Sequence, residues 1–560
     1  MVTEDPGPQP PAPSPTGGGV HARGAGAHGY FEPYEPLAKY TCADFLQEPG
    51  RRVPVFAWFS TGAGPRPRGS ADTVRDVRGF AVRFHTREGD FDLVGSNIPV
   101  SFSRGGSHDE IPTRASAHDT FWDFCSSRTE TTHMLMWLMS DRAIPRSYRM
   151  MPGFGVRTFR FVAADGSATL VKFHWRPERG TSCLVWEEAR AIAEQDPWFH
   201  RRDLWAAIEA GDHPAWELGV QLIRPEDEDA FGYDLLDPTK LVPEETVPVR
   251  PIGRMVLDRN PEDFLTETSR VAFQTANLVP GVDSATATRR REETFSDHFG
   301  QASMFWDSMT DWERRHIADA FGFELARVHD VAVRERMAGN LARVAPDLAA
   351  AVADRLGLPA PEPPPPTWCP PPSPALSLAA LGGGDPATRT VALLAADGVD
   401  TERALALRGV FEQARVRVDV VAPRVGVLAG REPDTALAVD HALATTSSVL
   451  YDAVLVPGGE ESAAALGRQE RARRFVREAF EHGKPIGVLD SGGGLLPDGA
   501  VRRYLMPVAH TTPDDPAEVL SRDGIVATVT GGDRLDGFAE AFAAALTAHR
   551  FPDRPPPGGR

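Results

Sequence analysis

A proline-rich run divides the chain into two parts. Residues 361–374 read PEPPPPTWCPPPSP. Proline has no amide N–H to donate and a fixed backbone torsion, so a run of prolines continues neither a helix nor the middle of a sheet. Proline-rich segments favour an extended polyproline II conformation and act as semi-rigid spacers. We therefore predict a linker over residues 359–388, with a separate fold on either side.

Strand patterns dominate before the linker. Thr158–Val162 and Ala168–Trp175 flank Asp165-Gly166, a strong hairpin signal, and Trp216–Ile223 reads as another strand. These short alternating patterns extend to about residue 283 and indicate an antiparallel sheet.

Helical patterns are interspersed with the strands and then follow them. Asp196-Pro197 combines a capping residue with proline at the start of a helix. Trp306–Val328 and Arg334–Leu356 have the apolar spacing of two amphipathic helices. Antiparallel strands followed by helices indicate an α+β domain.

The pattern changes after the linker. Short apolar strands alternate there with helical segments, which predicts a doubly wound parallel sheet. The predicted strands are Thr390–Ala395, Arg417–Pro423, Ala453–Gly459 and Pro485–Asp490.

Composition narrows the classes of function. The formal charge of −18 over 560 residues argues against nucleic acid or an anionic membrane surface as a partner. No apolar run reaches the length of a membrane span, and the N-terminus shows no secretory signal, so we expect a cytoplasmic protein. The cysteines have no metal-site spacing, and we predict reduced thiols and no metal site made from them. They are Cys42, Cys125, Cys183 and Cys369.

Several segments resemble one enzyme family. The strand Val20–Phe31 is rich in Gly and Ala around its histidine, so that backbone or a flat cofactor can approach closely, and it is similar to the strand that carries the distal histidine of haem catalases. The resemblance continues in VFAWFST (55–61), GSADTVRDVRGFAVRF (69–84), FDLVG (91–95), SAHDTFWDF (116–124) and MSDRAIPRSY (139–148).

The resemblance implies a fold for nearly the whole chain. It implies that the first sheet is a closed antiparallel barrel. The second half resembles the flavodoxin-like, amidotransferase-like C-terminal domain of large-subunit catalases. The predicted organisation is a Pro/Gly-rich disordered arm (1–20), a barrel (21–283), a helical region (284–358), the linker (359–388) and the C-terminal domain (389–553).

The resemblance also implies a chemistry. Catalases use haem b to dismutate hydrogen peroxide to water and oxygen, and they are homotetramers. The distal histidine, which moves a proton between the two peroxide oxygens, corresponds to His21, and its supporting hydroxyl corresponds to Ser60. The family's peroxide-facing asparagine falls on Ser96, and the next asparagine falls on Asn97. Because side chains alternate along a strand, Asn97 cannot replace it without a shift in register.

Other haem-site positions depart from the family pattern. The two arginines that hold the haem propionates correspond to Gly18 and Trp58, and an indole cannot replace a bidentate arginine. The proximal ligand of catalases is a tyrosine. In the family it follows a Val-Pro-Gly segment, here Val279–Gly281. After Ser284–Glu293 (SATATRRREE) the match resumes near Phe295, so the segment that carries the tyrosine is missing.

Three functions remain open from the sequence. The first is a catalase-family protein with impaired or absent activity. The second is an active haem catalase with an unrecognised iron ligand, for which His85, His298, Met304 and His316 are the candidates. The third is a hydrolase acting through the C-terminal domain.

The hydrolase hypothesis depends on residue 490. After the strand that begins at Lys484, the amidotransferase-like fold places a cysteine nucleophile, and this chain has Asp490 there. A carboxylate is rarely the nucleophile in amide chemistry. We therefore expect no peptidase or amidase activity.

Overall fold

The structure is a computed structural model of the chain. It describes residues 23–61, 70–102, 118–268, 271–285, 297–362, 369–381, 384–387, 389–432, 434–505, 519–528 and 535–556. The predicted arm (1–20) and His21 lie outside these residues. The chain divides into two compact units, residues 1–381 and 382–560.

The first unit contains a closed antiparallel barrel, as predicted. Eight strands close it in the order β7-β5-β4-β3-β2-β1-β9-β8, and β8 returns to pair with β7. Two further strands, β6 and β10, extend the sheet outward from β7. The strands are β1 Arg23–Pro33, β2 Val53–Thr61, β3 Arg78–Thr86, β4 Gly89–Ser96, β5 Gly153–Phe154, β6 Phe159–Val162, β7 Ala168–Pro177, β8 Ala215–Ile223, β9 Arg250–Arg259 and β10 Val282–Ser284.

Aromatic side chains fill the barrel. Alternate residues of each strand point inward, and the interior is a stack of large rings. Phe59 lies 4.8 Å from Phe80 and 5.4 Å from Trp216, ring centre to ring centre. Phe80 stacks in turn on Trp175 at 5.9 Å. The inside of the barrel is therefore a packed core, and the outward-facing residues form its outer surface.

The Gly/Ala pattern of β1 is explained by close strand packing. A Cβ atom added to Gly24 would lie 1.8 Å from the carbonyl oxygen of Phe59 on β2. One added to Gly29 would lie 1.9 Å from that of Val256 on β9. At these two positions the sequence needs glycine so that neighbouring backbone can approach. Backbone, rather than a cofactor, makes these two close approaches.

Helices pack beside the barrel and after it. An apolar cluster that includes Trp122, Trp137, Phe305 and Phe321 joins the early helices to the late ones. The helices are α1 His118–Ser127, α2 Thr132–Met139, α3 Trp186–Gln195, α4 Phe199–Glu209, α5 Phe264–Glu267, α6 Gly300–Ser308, α7 Asp311–Leu325, α8 Val331–Val344 and α9 Pro346–Leu356.

The two long helices predicted in this region are each broken. Thr310 and Glu313 form a capping box, which ends α6 and starts α7. Pro346 begins α9, because proline at the first position of a helix has no N–H that needs a partner. The predicted helices Trp306–Val328 and Arg334–Leu356 were therefore wrong in extent, although both regions are helical.

Part of the predicted linker is bound to the first unit. The Ser373 hydroxyl donates to Glu245 Oε2 at 2.6 Å. Leu376 O accepts from Arg142 at 2.8 Å, and the Ser377 hydroxyl donates to Glu313 at 2.7 Å. Residues 373–377 thus belong to the first unit, and less of the linker is left to act as a spacer.

The second unit is a doubly wound sheet. Its strand order is β15-β12-β11-β16-β17-β19-β18, parallel except for β18. The strands are β11 Thr390–Leu394, β12 Arg417–Ala422, β15 His441–Ala442, β16 Ala453–Val456, β17 Ile486–Leu489, β18 Val519–Arg522 and β19 Ile525–Thr528, with a separate hairpin of β13 Gly426–Ala429 and β14 Ala436–Val439. The helices are α10 Thr401–Gln413, α11 Glu460–Gly467, α12 Glu470–Glu481, α13 Asp498–Ala500 and α14 Leu535–Ala548.

No helix among the described residues is long and apolar enough to cross a membrane.

We predict that residues 382–560 fold without the first unit, because each unit has its own apolar core. All 11 tryptophans precede residue 382, so tryptophan fluorescence reports on the first unit alone. Residues 382–560, expressed separately, should melt cooperatively by far-UV circular dichroism. Insoluble or non-cooperative material would show that this unit depends on the barrel.

Candidate functional site

The outward residues of four neighbouring strands form one face of the barrel, which we call the wall. Backbone register places them in two adjacent rows across β1, β2, β3 and β4. The first row is Gly24, Ser60, Gly79 and Ser96, and the second is Gly26, Trp58, Ala81 and Val94. The candidate residues Ser60 and Ser96 therefore lie in one row, on either side of Gly79.

Protein atoms cover the middle of the wall. Ser60 is 1% exposed and Ala81 is 7% exposed, and Gly26 and Gly79 are buried as well. Neighbouring protein atoms therefore shield these residues of the wall from solvent.

Ser96 uses its hydroxyl locally. Its Oγ donates to the carbonyl oxygen of Ile98 at 2.7 Å. A serine hydroxyl has only one proton to donate. Ser96 must break this bond before it can donate to a substrate on the wall.

Asn97 is not part of the wall. Its Oδ1 accepts from the backbone N–H of Arg78 at 2.7 Å, and its Nδ2 donates to the carbonyl oxygen of Arg142 at 2.9 Å. The side chain is buried, at 1% exposure. These bonds tie the end of β4 to the start of β3 and to the turn at residues 141–143. The structure therefore gives Asn97 a structural role and separates it from Ser60 and Ser96.

Trp58 lies on the wall where the family pattern has a propionate-binding arginine. Its register partners are Gly26 on β1 and Ala81 on β3, and its indole is half-buried. An indole N–H donates only one hydrogen bond and carries no charge. The other arginine position, Gly18, and the distal position, His21, lie outside the described residues.

All seven tyrosines of the chain are described, and none of them lies between Tyr233 and Tyr451, the stretch that contains Val279–Gly281. Tyr148 lies inside the barrel, stacked on Phe59 at 5.3 Å. Tyr233 is buried in a small cluster outside the barrel with Phe231. The others are Tyr30, Tyr34 and Tyr40 at β1 and just after it, and Tyr451 and Tyr504 in the second unit. No tyrosine is therefore present in the stretch where the resemblance implies the proximal ligand.

Three of the four candidate substitute ligands are histidines with a hydrogen-bond partner at Nδ1, and the fourth is a buried methionine. His85 Nδ1 lies 2.8 Å from Asp90, and His316 Nδ1 lies 2.6 Å from Asp141. His298 Nδ1 lies 2.6 Å from the hydroxyl of Thr129. Met304 is 0% exposed within the helical core. Among the described residues, no three His, Cys, Asp or Glu side chains are grouped to hold a metal ion.

One histidine that the sequence did not single out lies on the same strand face as the wall. His28 lies on the outer face of β1, with its Nε2 2.8 Å from Glu267 and its ring 4.9 Å from that of Phe56. Burial and the nearby Arg259 lower the pKa of His28, although Glu267 acts in the opposite direction. No sequence signal pointed to its pairing with Glu267, 239 residues later.

A second network, which the sequence did not predict, holds the segment that precedes Val279–Gly281. Asp92 on β4 forms a bidentate pair with Arg83 on β3, with both distances at 2.7 Å. The same carboxylate accepts from the backbone N–H of Gln274 at 2.8 Å and from Asn277 Nδ2 at 2.9 Å. This network fixes residues 274–277 across the outside of the barrel, just before Val279–Gly281.

The C-terminal candidate, Asp490, forms an ion pair. It follows β17 with φ of 46°, the sharp backbone turn that the fold uses for a nucleophile. Its Oδ2 lies 2.5 Å from Nη1 of Arg403 on α10. Aspartate tolerates this left-handed conformation better than most residues. The sharp turn is present at Asp490, but the carboxylate there forms an ion pair with Arg403 and is not arranged as a nucleophile.

The described residues define a two-unit protein of the barrel-plus-helices class. The first unit is a closed eight-stranded barrel with attached helices, its wall carries small residues with a buried serine, and a doubly wound unit follows it. Residues 18–288 match the family model described as Catalase, and residues 292–356 match Catalase-related immune-responsive. Residues 387–556 match the C-terminal domain found in long catalases.

Individual relatives agree with these matches. The chain is 43% identical to Catalase HPII of Mycobacterium avium, over 95% of this chain and 88% of the relative. It is 43% identical to Catalase HPII of Pseudomonas aeruginosa, over 83% and 80%. It is 38% identical to Catalase-2 of Bacillus subtilis, over 96% and 89%. The chain belongs to the catalase family.

The alignment to the mycobacterial relative also shows missing segments. It extends over 630 positions, whereas this chain has 560 residues, so at least 70 positions hold a residue in the relative and none here. This agrees in kind with the missing segment that we predict after Ser284–Glu293.

We predict that Asn97→Ala lowers the free energy of unfolding of the first unit by roughly 2–4 kcal/mol, since two buried partners lose their hydrogen bonds. Ser96→Ala, the matched control one residue away, should cost less than about 1 kcal/mol because its bond is local and half-buried. Denaturant titration followed by tryptophan fluorescence measures both. Equal costs for the two variants would contradict the structural role of Asn97.

The His316–Asp141 pair should make stability depend on pH. Burial alone lowers the pKa of His316, but the charge and hydrogen bond of Asp141 outweigh it, so the net pKa is raised above 6.5. The stabilisation is therefore complete below pH 6.5 and is lost as pH rises through the raised pKa. His316→Gln should remove this loss between pH 6 and pH 9.

His329→Gln is the control for this pH dependence. His329 pairs with Asp119 at 3.1 Å, but its side chain is 91% exposed, and such pairs contribute little. The control should keep the pH dependence of the unsubstituted protein. The same pH profile in His316→Gln and the unsubstituted protein would refute the contribution of the His316–Asp141 pair.

Proposed function

We propose that this chain is a catalase-family protein that keeps the barrel but does not hold haem and does not dismutate hydrogen peroxide at a useful rate. The activity of the family is haem-dependent dismutation of hydrogen peroxide to water and oxygen. The observation that carries the proposal is the location of the seven tyrosines, none of which occupies the proximal position.

The residues present do not fit haem on either side. An anionic tyrosine is the strongest attachment that the family uses for the iron. On the wall, the indole of Trp58 stands where a propionate would meet an arginine. A carboxylate buried without a partner costs on the order of several kcal/mol. Both the strongest attachment and one charge partner are therefore missing.

The polar residues on and beside the wall are engaged in other bonds. Asn97, beside the wall, uses its amide to bind the backbone of Arg78 and Arg142. Ser96 donates to Ile98, and Ser60 is buried at 1% exposure. A base at His21 would therefore have little beside it to orient the second oxygen of a peroxide molecule.

The second candidate function is an active haem catalase that protects against peroxide through an iron ligand we have not identified. The names of the relatives, which are all catalases at 36–43% identity, favour it. We further propose that the protein is cytoplasmic, and that its partners include neither nucleic acid nor membrane. It can form a homo-oligomer, as the family does.

Oxygen release from hydrogen peroxide distinguishes the two functions. The purified protein, expressed with ample haem supply, should release oxygen no faster than the same protein with His21→Ala. Restoring one charge partner with Trp58→Arg should not create activity, because the iron ligand is still missing. Rapid release that His21→Ala abolishes would establish the active catalase instead.

A further inference from the structure

Three fully buried polar side chains meet at one end of the barrel. They are Arg78 at the start of β3, Tyr148 in the turn before β5, and His200 on α4, each with 0% exposure. The ring centres of Tyr148 and His200 lie 5.1 Å apart. We call these three side chains the buried polar pocket.

Four atoms of this pocket have no hydrogen-bond partner among the described residues. They are the hydroxyl of Tyr148, both ring nitrogens of His200, and Nε of Arg78. Buried polar groups in folded proteins are almost always hydrogen-bonded, to protein or to ordered water. Four orphaned atoms in one place call for a ligand.

The two carboxylates that act on His200, those of Asp72 and Asp203, already accept hydrogen bonds from other residues. The terminal nitrogens of Arg78 donate to four backbone carbonyls, those of residues 72, 74, 76 and 143. Asp72 Oδ1 accepts from Arg201 at 2.6 and 2.9 Å. Asp203 accepts from Arg149 and from the hydroxyl of Ser147. None of these carboxylates is left to serve the pocket.

The protonation of the pocket decides which ligand fits. Burial and the charge of Arg78 lower the pKa of His200 to about 4, so the imidazole is neutral near pH 7. Burial raises the pKa of Tyr148, so its hydroxyl keeps its proton. A neutral imidazole offers one donor and one acceptor, and Tyr148 and Arg78 add two donors. The ligand must therefore both accept and donate, and it need not carry a charge.

We propose that the buried polar pocket binds ordered water, with at least one molecule bridging the hydroxyl of Tyr148 and a ring nitrogen of His200. A water molecule typically makes two to four hydrogen bonds in such sites, which matches the donors and acceptor available. The waters would link α4 to the barrel behind the wall, since Arg78 also donates its backbone N–H to Asn97. This proposal does not depend on whether the protein binds haem.

The direction in which one substitution changes the melting temperature tests the proposal in the full-length protein. If water bridges the two rings, Tyr148→Phe leaves that water short of a partner and lowers the melting temperature of the first unit by roughly 2 °C. If the pocket is dry, the same substitution removes an unsatisfied hydroxyl and leaves the melting temperature unchanged or raises it. Tryptophan fluorescence follows this unit alone.

Tyr30→Phe is the matched control. It removes a hydroxyl from a half-buried tyrosine on β1 and should leave the melting temperature unchanged. A lowered value for Tyr148→Phe alone supports the proposal, and an unchanged or raised value overturns it.

A crystal structure at a resolution that shows waters gives an independent second test. Electron density for water between Tyr148 and His200 supports the proposal. A direct hydrogen bond between the two side chains, or no density between them, overturns it.

Discussion

Closure of the eight-stranded barrel is the constraint on which the rest of the structure depends. Once β8 pairs with both β7 and β9, every second residue of each barrel strand must fill the interior. Phe59, Phe80, Trp175 and Trp216 do so as a continuous stack. The outward-facing residues of these strands, which include the wall, do not have to fill the interior. The interior can therefore stay intact while the wall and the segments outside it change.

That separation is the reason why the loss of the cofactor site that we propose is compatible with an intact fold. Trp58 and Phe59 are adjacent on β2, yet one stands where a propionate partner belongs and the other anchors the core. Asp92 still ties residues 274–277 to the barrel, up to the point where the missing segment would begin. The losses that we propose lie on the wall or beyond it, where they cost the barrel little.

Much of the fold could be predicted from the sequence, because alternation and turn residues act locally. The hairpin around Asp165-Gly166 and the four apolar strands after the linker lie within a residue or three of their predicted ends. The two helix breaks were missed, although Thr310 with Glu313 and Pro346 are local signals, because apolar periodicity continues through both. Contacts between distant residues had no such signal. The pairing of His28 with Glu267 and the approach of His200 to Tyr148 depend on barrel closure.

Haem content is the most direct test of the central claim that the wall no longer holds the cofactor. Titrating haem into the purified full-length protein and following the Soret band measures the stoichiometry and affinity of binding. We expect weak haem binding, well below one haem per chain, and we expect His21→Ala to leave it unchanged. One tightly bound haem per chain, with the spectrum of an anionic oxygen ligand on the iron, would contradict it.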